Sequence, residues 1–264
     1  MRNDMKKSTS YFLILACVVF SGCKETARSI SHSGYPQQAS YRGEGARDSF
    51  SEPAFEYRGE LSEFDVLGIP RGEFTSETDI RRAVEASKPV RLRPGSSVLL
   101  IQSGALFPDA AMVTELSKHF RVVPFSGVPS VRRLGSGALQ TESPDPESYS
   151  KSLRLTAARG GTDFILCYWG MLESGSDRLA TKTVSWVPIV HWIMPDEKQH
   201  MRIQLKVALV DVRSGDWSVF SPKRFEDARL STSPRRGAVD QQQVERLKKL
   251  AYEASVAELV QAYD

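Results

Sequence analysis

Met201 to Phe220 reads MRIQLKVALVDVRSGDWSVF, and the reading of this stretch decides the fold. Ile203, Leu205, Val207 and Leu209 alternate with Arg202, Gln204, Lys206 and Ala208, a period of two that places one set on each face of a half-buried strand. Arg213-Ser214-Gly215-Asp216 then supplies a glycine where a tight turn needs a positive φ, and Trp217, Val219 and Phe220 predict a returning strand. Nothing in this hairpin is a nucleophile, a metal cluster or a phosphate loop.

Working outward toward the amino terminus, Thr162 to Glu173, TDFILCYWGMLE, predicts a strongly apolar, central strand, with a turn at Ser174 to Arg178 and a further strand over Leu179 to Trp192. Ser97-Val98-Leu99-Leu100-Ile101, bounded by Pro94-Gly95 and Ser103-Gly104, has the continuous apolar character of a strand covered on both faces. Between them, Phe107 to Phe120 spaces Met112, Val113, Leu116 and Phe120 as a helix does, and Arg121 to Phe125 predicts the second strand of a β-α-β unit. Pro146 to Arg159 predicts a helix whose Tyr149, Leu153, Leu155 and Ala157 include a core-facing set, stopped by Gly160-Gly161, while Ser126 to Pro146 reads as a long surface loop. Working toward the carboxy terminus, Glu226 to Ala238 reads as a polar loop. Val239 to Tyr263 then predicts a helix of about seven turns with Val244, Leu247, Leu250, Ala251, Ala254 and Ala257 on one stripe. The expected fold is an α/β domain over residues 96–264. Its mixed sheet of about six strands starts with parallel β-α-β pairing, continues as an antiparallel meander, and is backed by the long C-terminal helix.

The opening MRNDMKKSTSYFLILACVVFSGC carries Arg2, Lys6 and Lys7, then an apolar run from Tyr11 to Phe20, then small residues before Cys23. That run is well short of the ~20 residues needed to span a bilayer, so residues 1–22 read as a secretory signal. Phe20-Ser21-Gly22-Cys23 resembles the lipobox of bacterial lipoproteins, with Phe20 standing where Leu, Val or Ile is usual. The resemblance implies that Cys23 is acylated and becomes the first residue of the mature chain; an ordinary signal peptide or an uncleaved anchor is the alternative. Several acyl chains on one cysteine would anchor an otherwise soluble domain. Lys24 is not the aspartate that retains such proteins at the inner membrane, so the same resemblance implies the outer membrane, facing the periplasm.

Without residues 1–22, 32 Lys and Arg face 31 Asp and Glu, so the net charge of +3 for the whole chain largely belongs to the signal and is no nucleic-acid footprint. Of three cysteines only Cys167 remains beyond Cys23, which excludes an intramolecular disulfide in the mature domain; its apolar setting reads as a buried small hydrophobe. Residues 23–55, rich in Ser, Arg, Glu, Gly and Gln without period, predict a flexible tether. Residues 56–95 predict a lead-in with a short helix from Glu77, capped by Ser76-Glu77-Thr78-Asp79 and packed on the main domain through Ile80 and Val84.

The runs Val98-Leu99-Leu100-Ile101, His119 to Val123, Ala157 to Leu166 and Leu209-Val210-Asp211-Val212-Arg213-Ser214-Gly215 together resemble the periplasmic lipoprotein domains related to the curli secretion lipoprotein and the amino-terminal domain of the Tol translocation protein. Trp192 to Pro195 and Val207 to Val212 are also similar to the rhombotarget lipoproteins. These resemblances imply roles in envelope assembly or secretion through protein contacts, and they supply no catalytic residue.

Chemistry-bearing constellations are sparse. His191 and His200, with Asp196 and Glu197, fit no usual zinc spacing, and Gly135-Ser136-Gly137 lacks the strand-turn-helix setting of a nucleophile elbow. No catalytic residue, metal or cofactor is therefore expected. The unusual segment is Val184 to Pro195, VSWVPIVHWIMP, in which Trp186, Pro188, Ile189, Trp192 and Ile193 read either as an edge strand over the core or as a partner-binding or membrane-facing ridge. The expected function is a non-enzymatic, lipid-anchored protein that docks an envelope partner or aids assembly. The alternatives are a subunit of a homo-oligomeric secretion or surface-assembly complex, and an enzyme.

Overall fold

The computed structural model describes residues 26–32, 59–70, 75–129, 132–133, 139–140, 146–178, 197–231 and 236–263. In chain order these form β1 (Thr26–Ser29) with a 3-10 turn Ile30–His32, α1 (Glu63–Leu67), α2 (Glu77–Ala86), β2 (Ser97–Gln102), α3 (Ala110–Leu116) and β3 (Arg121–Phe125). There follow the two-residue strands β4 (Arg132–Arg133) and β5 (Leu139–Gln140), then α4 (Pro146–Arg159), β6 (Phe164–Arg178), β7 (Glu197–Asp211), β8 (Trp217–Phe220), β9 (Phe225–Ser231) and α5 (Arg236–Tyr263).

The architecture is the mixed α/β sheet expected, with seven strands rather than about six. The main path runs β3-β2-β6-β7-β8, with β1 beside β6 and β9 beside β7. β2 lies parallel to both β3 and β6, and the later strands are antiparallel. All six residues of β2 are buried, as its unbroken apolar run requires, whereas Pro124 sits in edge strand β3, where a missing N–H leaves no gap in a central ladder.

The alternation in β7 divides the core into two layers. Ile203, Leu205, Val207 and Leu209, with Leu166, Tyr168 and Leu172 of β6, pack under α3 and α5. On the opposite face Ile165, Cys167 and Val210 pack with Leu99, Ile101, Leu153, Ala157 and Val66, beneath α4 and α1. The buried stripe of α5 is Val244, Leu247, Ala251, Tyr252, Ser255, Val256 and Leu259, at helical spacing. It is rotated from the predicted stripe: Leu250 and Ala257 face solvent, because Tyr252 turns inward to a polar partner described below. In α4 the core-facing members are Leu153 and Ala157, and Leu155 is exposed.

Four expectations are corrected. The predicted turn at Ser174 to Arg178 is strand: β6 runs on to Arg178 and pairs with β7 through Arg178↔Glu197, so cross-strand pairing overrides the weak local propensity of Ser and Gly. Part of the predicted loop after Phe225 is strand β9, held by register with β7 from Ile203↔Phe225 to Glu197↔Ser231. Helix α2 forms with its full capping box at Ser76 and Asp79, but it buries no residue, and Val84 is 72% exposed. The fourth correction concerns the tether. Residues 26–29 are part of the sheet, with Thr26↔Ser174 through Ser29↔Met171 paired antiparallel to β6, and Ile30 of the 3-10 turn that follows is only 1% exposed. The strand outlined in the sequence over 179–192 lies outside the described residues.

Gly170 explains how one isoleucine fastens that segment. A Cβ at position 170 would lie 2.6 Å from Ile30 Cδ1 and 2.7 Å from Leu205 Cδ2, so the missing side chain is the socket that Ile30 fills.

Candidate functional site

In open α/β sheets, ligands favour the crevice beyond the carboxyl ends of the parallel strands. Here that place lies past Gln102 at the end of β2, beside Tyr168 of β6, and it is filled by a polar cluster and by the chain's own amino-terminal segment. The Tyr168 hydroxyl donates to Gln102 Oε1 at 2.6 Å, and the Asp109 backbone N–H donates to the same oxygen at 2.7 Å. Gln102 Nε2 donates to Ser31 Oγ at 3.1 Å, and Ser31 Oγ in turn donates to the Ser103 carbonyl. From α5, Lys248 Nζ donates to Asp109 Oδ2 at 2.9 Å and to the Ile30 carbonyl at 3.0 Å, while the Tyr252 hydroxyl donates to Asp109 Oδ2.

Asp109 precedes α3 yet makes no side-chain capping bond to that helix; its carboxylate reaches across to α5. Burial pushes both phenols well above their usual range, with the Asp109 carboxylate adding to the effect at Tyr168, so both remain neutral donors at physiological pH. Their rings meet edge to face at 5.7 Å. The cluster's donors and acceptors are engaged with one another, and its effect is to clamp Ile30 and Ser31 between β2, α3 and α5.

The opposite sheet face is different. α4 and α1 cover only its lower half: Trp169 Nε1 donates to the Leu61 carbonyl at 2.7 Å, and Lys206 reaches Glu63 of α1 at 2.6 Å. Beyond that line Glu173 pairs with Arg202, which lies 3.7 Å from Glu226, and Arg224 donates to Gln204 at 2.9 Å. Among these charges stand exposed apolar side chains, Met171 at 52% and, on edge strand β8, Trp217 at 48% and Val219 at 36%. Trp217 and Val219 are two residues apart and so share a face. Among the described residues β8 pairs only with β7.

The other positions raised by the sequence resolve as follows. Cys167 is a free thiol fully buried in the lower core, and burial pushes its pKa well up, which makes it inert. His119 borders a cavity of about 90 Å³ with Leu92, Pro94, Phe120, Leu259 and Val260, well under the volume of a small-molecule site. Among the described residues no three His, Cys, Asp or Glu gather as a metal would need, and no helix is long and apolar enough to cross a membrane. Cys23 and the ridge residues Trp186, Pro188, Ile189, Trp192 and Ile193 lie outside the described residues, as does His191; only the flanks of the ridge, Arg178 and Glu197, are placed.

A family model described as YafT bacterial lipoprotein matches residues 62–262, which takes in the sheet from β2 onward and both helical layers. The chain belongs to the YafT bacterial lipoprotein family. Membership makes it a bacterial lipoprotein, held in the cell envelope by a membrane anchor. The match is to the YafT family and does not extend to the curli-secretion and Tol group, whose likeness rests on the short motifs alone. No curated protein matches the chain. The Asp109 cluster of this YafT-family chain escaped sequence reasoning because its members are up to 221 positions apart, from Ser31 to Tyr252. The one local signal was the polar pair Gln102-Ser103 closing a fully apolar run.

Proposed function

We propose that this YafT-family lipoprotein is non-enzymatic and acts as a protein-docking or assembly factor on the periplasmic face of the outer membrane, anchored through acylated Cys23. The observation that carries the reading is the sheet face ending in β8, the last strand of the main path among the described residues, where Trp217 and Val219 stand exposed. An extended segment of an envelope protein suits such an edge: backbone hydrogen bonds supply affinity, and the alternate side chains Trp217 and Val219 supply the apolar contact. Lys24 after the cysteine supports the outer membrane in preference to the inner.

The test places a photocrosslinking residue at Ser218 in the full lipidated protein in native envelopes. The expected result is a discrete crosslinked partner that disappears in Trp217→Ala and in Val219→Asp while melting and far-UV CD stay unchanged. Crosslinking of the chain to itself, with a larger species in detergent that Trp217→Ala dissociates, would favour an oligomeric secretion or surface-assembly subunit instead. Crosslinks indifferent to both substitutions would remove the docking role of β8.

A further inference from the structure

Residues 26–32 sit in the domain as a bound peptide would. The contacts that hold them come from distant parts of the chain. β2 covers one edge of β6 as far as Tyr168, and β1 takes over the same edge at residues 171–174, closing a ladder that among the described residues nothing else would pair. Ile30 fills the space left by Gly170 against Leu205, and its carbonyl accepts from Lys248 at 3.0 Å. Ser31 is held by Gln102 and by the Ser103 carbonyl. The groove therefore reads a sequence: a strand edge, then a socket for one aliphatic side chain, then polar groups that take a carbonyl and a hydroxyl.

Every copy of the chain carries the sequence that this groove fits. Ser31 and Leu61 both bond Ser103, and Ser29 bonds Glu60, so the two ends of the connection between His32 and Gly59 meet at one place on the domain. That connection is residues 33–58, 26 in number. At ~3.3 Å per residue its outer reach is about 85 Å, against about 40 Å for the diameter of a domain of this size, so its length does not confine the segment to its own groove. Each contact made within one chain is made identically between two, and the contacts alone do not choose between them. The choice rests on how closely the copies stand. A membrane anchor confines them to one surface, and that raises their local concentration toward the millimolar order that a connection within one chain supplies.

We propose that residues 26–32 exchange between two copies of this chain, each segment pairing with residues 171–174 of the other copy and placing its Ile30 in the other's Gly170 socket. A reciprocal exchange of this kind is two-fold symmetric and closes at two, because each copy gives one segment and takes one. β8 lies on the far side of β7 from the groove, so the exchange leaves Trp217 and Val219 accessible. The inference does not depend on the docking role of β8, and either can fail without the other.

The test is disulfide trapping of the full chain in native envelopes. Thr26 and Ser174 are opposed, with their hydroxyl oxygens 2.8 Å apart, so Thr26→Cys and Ser174→Cys meet within disulfide reach. The two substitutions are placed in separate copies with different tags and expressed together. Exchange predicts a dimer carrying both tags on mild oxidation. That dimer should be lost when Ile30→Ala is added to the Thr26→Cys copy, and lost again when Gly170→Ala is added to the Ser174→Cys copy. Ser31→Ala in the Thr26→Cys copy removes two hydrogen bonds without touching the core, and it should reduce the dimer as well. A mixed dimer indifferent to all three changes reports collision at the membrane and overturns the proposal. With both cysteines in one chain, a disulfide found only within monomers, and no mixed dimer from the separate copies, shows that each segment stays in its own groove and overturns it too. No disulfide of either kind removes the pairing of Thr26 with Ser174, and the proposal with it.

Discussion

Replacing Ile30 by Ala tests whether the amino-terminal segment is part of the fold. The side chain is 1% exposed, and its Cδ1 and Cγ1 lie 2.6 and 2.8 Å from where a Cβ on Gly170 would stand. Truncation removes three buried carbons, worth about 2.4 kcal/mol in transfer free energy at ~0.8 kcal/mol each. A cavity term adds to that, because the backbone of β6 is fixed by its neighbours and cannot collapse into the void; the total expected is about 3 kcal/mol, within the usual range for Ile→Ala. Urea denaturation of the mature protein should report this loss, and hydrogen exchange should show the amides of residues 26–29 losing protection ahead of the rest of the sheet. Gly170→Ala alone should cost about 1 to 2 kcal/mol by overfilling the socket. Combined with Ile30→Ala, however, its methyl enters the space that Ile30 has vacated, so the double variant should be more stable than the sum of the two losses by about 1 kcal/mol. Additive losses would mean that the two residues do not share one cavity. An Ile30→Ala protein within about 0.5 kcal/mol of the parent would mean that the segment is a tether after all.

Two other outcomes follow from the same packing. A Cβ on Gly127 would lie 1.9 Å from the Gln102 carbonyl oxygen and 2.6 Å from its carbon, so Gly127→Ala must displace the end of β2; the expected loss is about 3 kcal/mol or more, seen as a fall in Tm of roughly 6 to 12 °C, and an unchanged Tm would contradict the placement. Burial pushes the Tyr149 phenol up to about 12 and those of Tyr168 and Tyr252 well above 10. The folded state therefore holds these protons more tightly than the unfolded chain, so stability is full below pH 10 and declines as pH rises from 10 through 12. Tyr149 contributes on the order of 2 kcal/mol to that decline. A urea midpoint that stays flat from pH 10 to 12, or that Tyr149→Phe fails to flatten, would refute the assignment.

The elements legible in the sequence are those whose evidence is local. β2 announces itself because burial on both faces demands an unbroken apolar run, β7 because one row of it is core, and α2 because Ser76 and Asp79 complete a capping box within four residues. Local evidence also misleads: Ile80 and Val84 mark a face of α2 that the described structure leaves exposed. The extension of β6 past Ser174 and the strand β9 were hidden because Gly, Ser, Asp and Glu there are strand only by virtue of their partners on β7.

The amino-terminal strand shows what kind of information a single pass along a chain lacks. Ile30 is one apolar residue in a polar stretch, and Gly170 is one glycine in an apolar strand; each alone reads as noise. Their meaning lies in the pair, since the socket exists only if 170 has no side chain and is worth having only if 30 is large. Lys248 and Asp109 add the second half of the fastening from two further parts of the chain. A tether of some thirty residues would leave the folded domain to begin well beyond it; the pairing of Thr26–Ser29 with β6 and the burial of Ile30 make this segment part of the sheet layer instead.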